Sequence, residues 1–207
     1  MDRGLVLKRL FDLAVSLPAL VVSLPLQAVT ALAVRLSMGR PVLFRQRRPG
    51  LHGEVFELVK FRTMHHEDVS RGRVDDASRL TTTGRVLRKL SLDELPSLWN
   101  IVRGDMSLVG PRPLLERYLD RYSPEQARRH EVRPGLTGLA QVSGRNQLSW
   151  EDKLRLDVEY VDTRSFIGDL RILAATVRQV VRGSGVSAVG EATMPEFHGT
   201  TAREDRA

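Results

Sequence analysis

The sequence contains no cysteine, which removes disulfides, thiolate metal sites and cysteine nucleophiles together. Aromatic residues make up only 5% of its 207 positions, so the stacking platforms of single-strand nucleic-acid binders are hard to assemble. It has neither the glycine-rich phosphate loop of the nucleoside triphosphatases nor a dinucleotide fingerprint. The five histidines (His52, His65, His66, His130 and His198) lack the spacing of zinc ligands. No internal repeat or low-complexity block occurs. The most informative absence is local: no charged residue stands between Leu13 and Val34.

That run of about 22 residues would reach ~33 Å as a helix, enough to traverse a hydrocarbon core. It is longer than the apolar region of a signal peptide and continues past any small-residue cleavage site. Basic residues flank both ends: Arg3, Lys8 and Arg9 before it, then Arg35, Arg40, Arg45, Arg47 and Arg48 after it. Basic flanks mark the cytoplasmic side, and here both ends qualify. Pro18 and Pro25 lie inside the run, and each removes a backbone donor and favours a bend. A re-entrant helix that enters, bends and leaves on one face satisfies the charges and the prolines together. A straight span and a buried core helix are the alternatives. The net charge of +7 and pI near 10.5 call for an anionic partner: nucleic acid, anionic lipid or phosphorylated substrate.

Beyond the run, residues 41–46 and 54–64 have strand character, with Pro49, Gly50 and Gly53 between them as turn chemistry for a hairpin. Residues 65–78 are polar and predict a loop, and 84–90 a short basic helix. Ser91-Leu-Asp-Glu94 has the pattern of a capping box opening a helix to about Arg103. Residues 105–113 form a rigid loop, 114–122 a short helix, and Ser123 caps another that ends near Val132. The glycine-rich stretch 133–146 predicts a loop with a short strand. Ser149 and Ser165 cap helices ending near Asp162 and Arg182. In the last of these, Phe166, Leu170, Leu173, Val177 and Val180 recur at helical spacing and suit either a core or a membrane surface. The fold expected is α+β and mostly helical, with three parts. Residues 1–40 hold the membrane helix and its flanks, 41–190 a small cytosolic catalytic domain with a β-hairpin and amphipathic interfacial helices, and 191–207 a polar tail.

Chemistry-bearing residues are densest between Arg88 and Pro113. Asp93 and Glu94 stand at a helix N-terminus, where the dipole favours carboxylates and bound phosphate. A carboxylate there can be a nucleophile, a Mg2+ ligand, or simply a cap, and the capping box alone accounts for Glu94. Arg88 and Lys89 stand just upstream, able to stabilise phosphate charge. Arg112 lies between Pro111 and Pro113, which restrict the backbone around a guanidinium suited to phosphate. Gly110 allows close approach. Asp105 suits a pair with Arg103 or Arg112, or a second metal ligand. Lys60 and Arg62 alternate around Phe61, lining an anion site or facing solvent. Arg133, Gln141, Arg145 and Asn146 offer donors for phosphate, hydroxyl and amide groups.

KFRTM (60–64), GRVLRKLSLDELPSLWNIVRGDMSLVGPRP (84–113) and VRPGLTGLAQVSGRN (132–146), with KRLFDL (8–13) and DVEYV (157–161), resemble the bacterial sugar transferases, the monotopic phosphoglycosyl transferases. The resemblance runs from about Lys8 to Gly199. It implies a re-entrant helix in the bacterial inner membrane, with the catalytic domain on the cytoplasmic face. It also implies transfer of a phosphosugar from a UDP-sugar to polyprenyl (undecaprenyl) phosphate, with Mg2+ present and release of UMP. Asp93 matches the nucleophile that forms a phosphosugar-aspartyl intermediate, and Glu94 its partner in metal or proton handling. Arg112 matches the Pro-Arg-Pro element of nucleotide binding, and Lys60 and Arg88 the cations around the phosphate. The tail from Ser184 to Gly199 is similar to that of the short enzymes acting on UDP-N,N'-diacetylbacillosamine. Three positions depart from the family pattern. Leu24 rather than serine precedes Pro25, with Ser23 one residue early; Pro18 is an extra proline; and Leu139 stands where tryptophan is common. No nucleic-acid partner is expected. The competing readings are a non-catalytic basic binding protein for membrane or nucleic acid, and a Mg2+-dependent phosphohydrolase.

Overall fold

A computed structural model of the chain describes residues 3–144, 148–182 and 196–199. Helix α1, Arg3–Met38, runs unbroken through Pro18 and Pro25. The carbonyl freed by Pro25 is that of Val21, but Ser23 Oγ bonds one carbonyl earlier, to Leu20 O at 3.0 Å, and accepts from Gln27 Nε2 at 2.9 Å. Ser23 therefore stabilises the turn before the proline and leaves the orphaned carbonyl alone. The apolar stretch of α1 is long enough to cross a membrane, and only 11% of its most apolar window is buried in the protein. A core helix would be covered, whereas Val21, Val22, Leu24 and Val29 are exposed. A continuous bare apolar surface of this length belongs in lipid, so the chain is membrane-associated.

Both ends of α1 are seated on the same folded body. Near the start, Lys8 Nζ pairs with Asp169 at 2.6 Å, Arg9 donates to Ile101 O and Val102 O, and Asp12 accepts from Leu108 N at 3.2 Å. Near the finish, Val34 is buried with Phe61 and Leu87. Arg62, itself buried, donates to Met38 O at 2.5 Å, Gly39 O at 2.9 Å and Arg40 O at 3.3 Å. A guanidinium on the last carbonyls satisfies groups a helix end leaves open and complements its dipole.

Strands β1 (Leu43–Pro49) and β2 (Val55–Phe61) form the expected hairpin, antiparallel, with Leu43 opposite Phe61 and Pro49 opposite Val55. The loop predicted over 65–78 contains the short helix α2 (Asp76–Arg79), capped by Asp75, and leads to α3 (Thr82–Lys89), capped by Thr81. Next comes a 3₁₀ turn, Leu92–Ser97, running into α4 (Leu98–Arg103). The capping box expected at Ser91 does not form. Ser91 is in the left-handed region at φ 56 and its side chain makes no cap bond. That conformation turns the chain sharply at the end of α3, and Pro96, lacking an N–H, cannot supply an α-helical bond back to Leu92.

The free edge of β2 is closed by two buried side chains from this segment. Ser97 Oγ donates to Val59 O at 2.8 Å. Asn100 accepts from Val59 N at 3.1 Å and donates to Glu57 O at 2.7 Å, so its amide copies a neighbouring strand. This sets the register between β2 and the 3₁₀ turn.

Strand β3 (Ser107–Val109) lies within the stretch expected to be a rigid loop, and pairs in parallel with β4 (Gly135–Thr137). They meet closely enough that a Cβ on Gly110 would stand 2.4 Å from Arg133 O, which excludes any larger residue there. The helix expected over 114–122 is a 3₁₀ turn at Glu116–Arg121. The capping box at Ser123 opens only a short α5, Pro124–Ala127, followed by another 3₁₀ turn. After α6 (Leu139–Ser143), α7 (Trp150–Thr163) and α8 (Phe166–Arg182) match the expected helices closely. In helix α8, Ile172 and Leu173 pack on the core, while Phe166, Ile167, Val177 and Val181 stay exposed. Phe197, from the stretch expected to be a polar tail, is buried against Tyr118, Tyr122 and Trp150.

Replacing the buried Asn100 by Ala should destabilise the protein by about 2–4 kcal/mol, because it takes the partner from the part-buried Val59 N–H and Glu57 carbonyl of β2 together. Ser97→Ala, which frees one carbonyl, should cost about 1 kcal/mol. Denaturant unfolding in detergent measures both; equal, small losses would show that the edge is satisfied by other means.

Candidate active site

Two chain segments converge on Glu94. Its Oε1 accepts from Lys60 Nζ on β2 at 2.6 Å and from Arg112 Nη2 of the Pro111-Arg112-Pro113 turn at 2.8 Å. Burial disfavours the ionised carboxyl, but Lys60 and Arg112 outweigh it and hold Glu94 well below the usual carboxylate range. The Lys60 ammonium is depressed by burial despite the opposing pull of Glu94. Glu94 is therefore an ionised strut between two cations. Its charge is not spent on a helix cap.

Asp93, the adjacent acid, has no hydrogen bond or ion pair among the described residues. Burial and then Glu94 push its carboxyl up from the usual range, against the weaker fields of Lys60, Arg88 and Arg112. A carboxylate in this state is poorly compensated and keeps its lone pairs free. Arg88, from the last turn of α3, is lowered by burial, feels Asp93 first among its charged neighbours, and is braced by Thr63 Oγ1 at 3.1 Å. A small cavity beneath Glu94 is lined by Arg48, Leu58, Lys60, Ser97, Arg112 and Leu136; Asp93 does not line it.

The backbone carrying Arg112 is held at nearly every polar group. Gly110 N donates to Thr137 O, and Pro111 O accepts from Gly135 N, both at 2.9 Å. Arg112 O accepts from Arg129 Nη2 at 2.6 Å, and Arg129 is buried in a pair with Asp157 of α7 at 2.7 Å. Pro113 O accepts from Arg48 at 3.2 Å, and Val109 O from Tyr160 Oη at 3.0 Å. Arg48 is itself pushed down to about 10 by burial and by Arg112. These clamps restrict the half-exposed Arg112 guanidinium to a small region.

The structure thus brings together Lys60, Glu94 and Arg112 by contact, and Asp93 and Arg88 by proximity, with Pro111 and Pro113 as the frame. Other expected site residues stand elsewhere. Arg133 donates to Gly104 O at 2.8 Å and caps α4 beside Arg9, while Arg62 caps α1. Asp105 is taken by Arg103 at 3.3 Å and by Asn100 Nδ2 at 3.0 Å. Gln141 sits behind Gly138 with both amide atoms buried and unpartnered among the described residues. Arg145 and Asn146 lie outside the described residues. Residues whose roles local pattern did not disclose are Arg48, Ser97, Asn100, Arg129, Asp157 and Tyr160; the last two stand in DVEYV, a motif without an assigned role until its contacts are seen.

No group of three or more possible metal-binding His, Asp or Glu side chains occurs among the described residues. An all-protein cage is thereby excluded there. The two adjacent carboxylates fit the different requirement of Mg2+, which takes one or two carboxylates and completes its shell with water and substrate phosphate. Both cation contacts to Glu94 fall on Oε1, leaving Oε2 outside that bridge.

The fold is a membrane-associated α+β domain with a carboxylate dyad set among lysine and arginine side chains. The family model described as bacterial sugar transferase matches residues 3–183, and the chain belongs to that family; it is a transferase. The sugar transferase EpsL of Bacillus subtilis is 53% identical over 197 residues, covering 95% of this chain and 98% of that protein. A UDP-glucose:undecaprenyl-phosphate glucose-1-phosphate transferase of Caulobacter vibrioides is 43% identical over 182 residues, 82% of this chain and 68% of that one. An undecaprenyl-phosphate galactose phosphotransferase of Salmonella typhimurium is 36% identical over 197 residues, 86% of this chain but 41% of that longer protein. Glucose and galactose are the sugars in these names. The expectation of a diacetylated amino sugar finds no support in them, and most of the tail that suggested it, residues 184–195, lies outside the described residues.

A carboxyl whose native pKa exceeds its unfolded value binds more protons folded than unfolded between those two values. Stability therefore falls as pH rises through that window and stays reduced above it. Asp93→Asn removes the ionisation, so at neutral pH the variant should be more stable than wild type, by about 1 kcal/mol. The gain should vanish in acid, where Asp93 is protonated in both states. Thermal melts in detergent at several pH values check this, and a lower melting temperature at neutral pH would contradict it.

Proposed function

We propose that the protein transfers a hexose 1-phosphate from a UDP-sugar to polyprenyl phosphate. The observation that carries the reading is the division of labour in the dyad. Glu94 is fastened between Lys60 and Arg112, while the adjacent Asp93 is uncommitted and electrostatically raised. Relatives named for glucose and galactose transfer onto undecaprenyl phosphate support the substrate class.

Asp93 Oδ attacks the sugar-linked phosphorus of the UDP-sugar. The phosphoanhydride bond to the uridine-bearing phosphate breaks, and UMP leaves with the bridging oxygen and its electron pair. A phosphosugar ester of the Asp93 carboxylate remains. A phosphate oxygen of the polyprenyl phosphate then attacks the same phosphorus, the acyl–phosphate bond breaks, and Asp93 is restored as a carboxylate. The product is polyprenyl diphosphate sugar. Arg112 and Arg88 face the negative charge that grows on the phosphoryl oxygens, and Lys60 keeps Glu94 ionised and in place. Mg2+, held by Asp93 and Glu94 with substrate phosphate, would supply charge neutralisation at the diphosphate.

For placement, α1 lies in the membrane with both ends on the cytoplasmic face. Arg9 and Val34 are about 38 Å apart along a straight helix, yet each is seated on the same domain. A straight crossing would require that domain to extend through the hydrocarbon. The re-entrant path satisfies these contacts, the exposed apolar middle, and the arginines at both ends.

Enzyme quenched while turning over UDP-glucose or UDP-galactose should carry a phosphohexose adduct on Asp93 by intact-mass and peptide analysis, and Asp93→Asn should lose at least about a thousandfold in turnover. UMP release that needs no polyprenyl phosphate and continues at full rate in Asp93→Asn would instead make the protein a hydrolase. Single cysteines at positions 5 and 40 should both react with an impermeant reagent from the cytoplasmic side only; labelling from opposite sides would replace the re-entrant path with a span.

A further inference from the structure

A second charged cleft lies apart from the dyad, where α1 leaves the apolar layer. Its lining includes Met38, Arg40, Arg62, Arg71 and Arg73, the histidines His65 and His66, and two acids, Glu67 and Asp68. Asp68 is partly neutralised: it accepts from Ser70 Oγ at 2.6 Å and pairs with Arg71 at 3.5 Å. Arg40 and Arg73 have no ion pair among the described residues, and the buried Arg62 keeps its Nε–H without a partner there. Burial and then Arg73, Arg62, Arg71 and His66 all depress protonation of His65, so the local field is positive. Nothing in the transfer chemistry uses these cations.

The loop that carries Arg71 and Arg73 has a second property. Val69 is 75% exposed and Val74 56%, flanking the two arginines, and Leu36 on the last turn of α1 is 79% exposed. Isolated exposed valines need no explanation, but these bracket a cationic cleft at the end of a membrane helix. Alternating bare valine and arginine suits a phase boundary, with apolar side chains among acyl chains and guanidinium groups level with phosphates. A soluble phosphate would have no use for the valines.

We infer that this cleft, with the 69–74 loop, is a binding site for the phosphate headgroup of an anionic phospholipid, which seats the catalytic domain against the bilayer beside α1. The site rests on the placement of α1 in the membrane and is independent of the chemistry at Asp93. Arg40, Arg71 and Arg73 receive the phosphodiester charge, the Arg62 Nε–H supplies a donor at its floor, and Val69 and Val74 enter the acyl layer.

The test uses the full chain. Phosphatidylglycerol is titrated into delipidated protein in neutral micelles, and bound lipid is counted by native mass spectrometry, with phosphatidylcholine as the control lipid. Wild type should retain phosphatidylglycerol in preference. Arg40→Gln/Arg71→Gln/Arg73→Gln should weaken it by about fivefold per arginine, on the order of a hundredfold together. Val69→Ser/Val74→Ser should weaken it severalfold, with melting temperatures unchanged in both variants. Undiminished phosphatidylglycerol affinity in the triple variant overturns the site, including the case where that variant instead raises the KM for polyprenyl phosphate and so marks an acceptor channel. Displacement by millimolar inorganic phosphate, with the valine variant binding normally, would make it a soluble-anion site and overturn the lipid. Wild type and variants should all float with phosphatidylcholine liposomes through α1; wild type remaining in the aqueous phase would fault the membrane placement itself, and the headgroup site with it.

Discussion

One carboxylate oxygen joins the parts of this molecule that matter for its chemistry. Glu94 Oε1 bridges Lys60 of the hairpin and Arg112 of the Pro-Arg-Pro turn, from within a 3₁₀ segment whose own place is set by Ser97 and Asn100 on the edge of β2. A half-buried ion bridge of this kind contributes little net stability, since desolvation consumes most of its Coulombic gain. Its value is geometric. Two cations that would otherwise repel each other are brought to one point, and the position of each becomes a function of the other two segments. Among the described residues the adjacent Asp93 has no hydrogen-bond or ion-pair partner, and burial raises the energy of its ionised form. The protein thus concentrates positive charge and withholds full compensation from one acid, which on the proposed reading trades stability for phosphate binding.

The turn bearing Arg112 shows how much structure such a placement needs. Its two prolines restrict the backbone, but the carbonyls are what fix it in space: Tyr160 takes Val109 O, Arg129 takes Arg112 O and Arg48 takes Pro113 O. Two of these donors are arginines, one held by Asp157 and the other by Gln46. Behind the turn, Gly110 and Gly135 let β3 and β4 approach to a distance that no side chain would permit. A guanidinium so framed loses little entropy on meeting a phosphate.

Much of this was legible before any coordinates. The hairpin, the helices starting at Ser149 and Ser165, the apolar N-terminal helix, and the gathering of Lys60, Arg88, Asp93, Glu94 and Arg112 all follow from pattern and resemblance. The failures have a common cause. Ser91-Leu-Asp-Glu94 carries the local signature of a capping box, but the side chain of Glu94 is recruited by residues 34 positions earlier and 18 later, and Ser91 adopts a left-handed turn. Arg133 reads as a phosphate ligand because an arginine in sequence does not show whether its target is a substrate or a helix carbonyl, here Gly104 O. Asn100 looked like an ordinary helical residue because a side chain that imitates a strand has no periodicity to betray it. Local propensity was a fair guide to elements, and a poor one wherever a polar side chain answered a distant backbone group.

The last of those distant answers ties the apolar N-terminal helix to the turn that carries Arg112. Lys8 of α1 pairs with Asp169, whose other oxygen stands 2.9 Å from Tyr160 Oη, and that hydroxyl shares its one proton between Asp169 and Val109 O at 3.0 Å. Asp12, one turn further along α1, accepts from Leu108 N. Both carboxylates are buried, so removing α1 would strand one anion without its cation and a backbone N–H without its acceptor, each a cost of about 1–3 kcal/mol. Helix α1 is therefore part of the wall that positions Val109 and, three residues on, Arg112. A tether could be exchanged for any other apolar helix. This one cannot be, because its first three turns carry Lys8, Arg9 and Asp12 into the protein while its apolar middle faces outward. On the proposed reading, the enzyme must meet a donor from water and an acceptor from lipid at one phosphorus, and making the lipid-facing helix a structural member of the site keeps that meeting point at a constant depth.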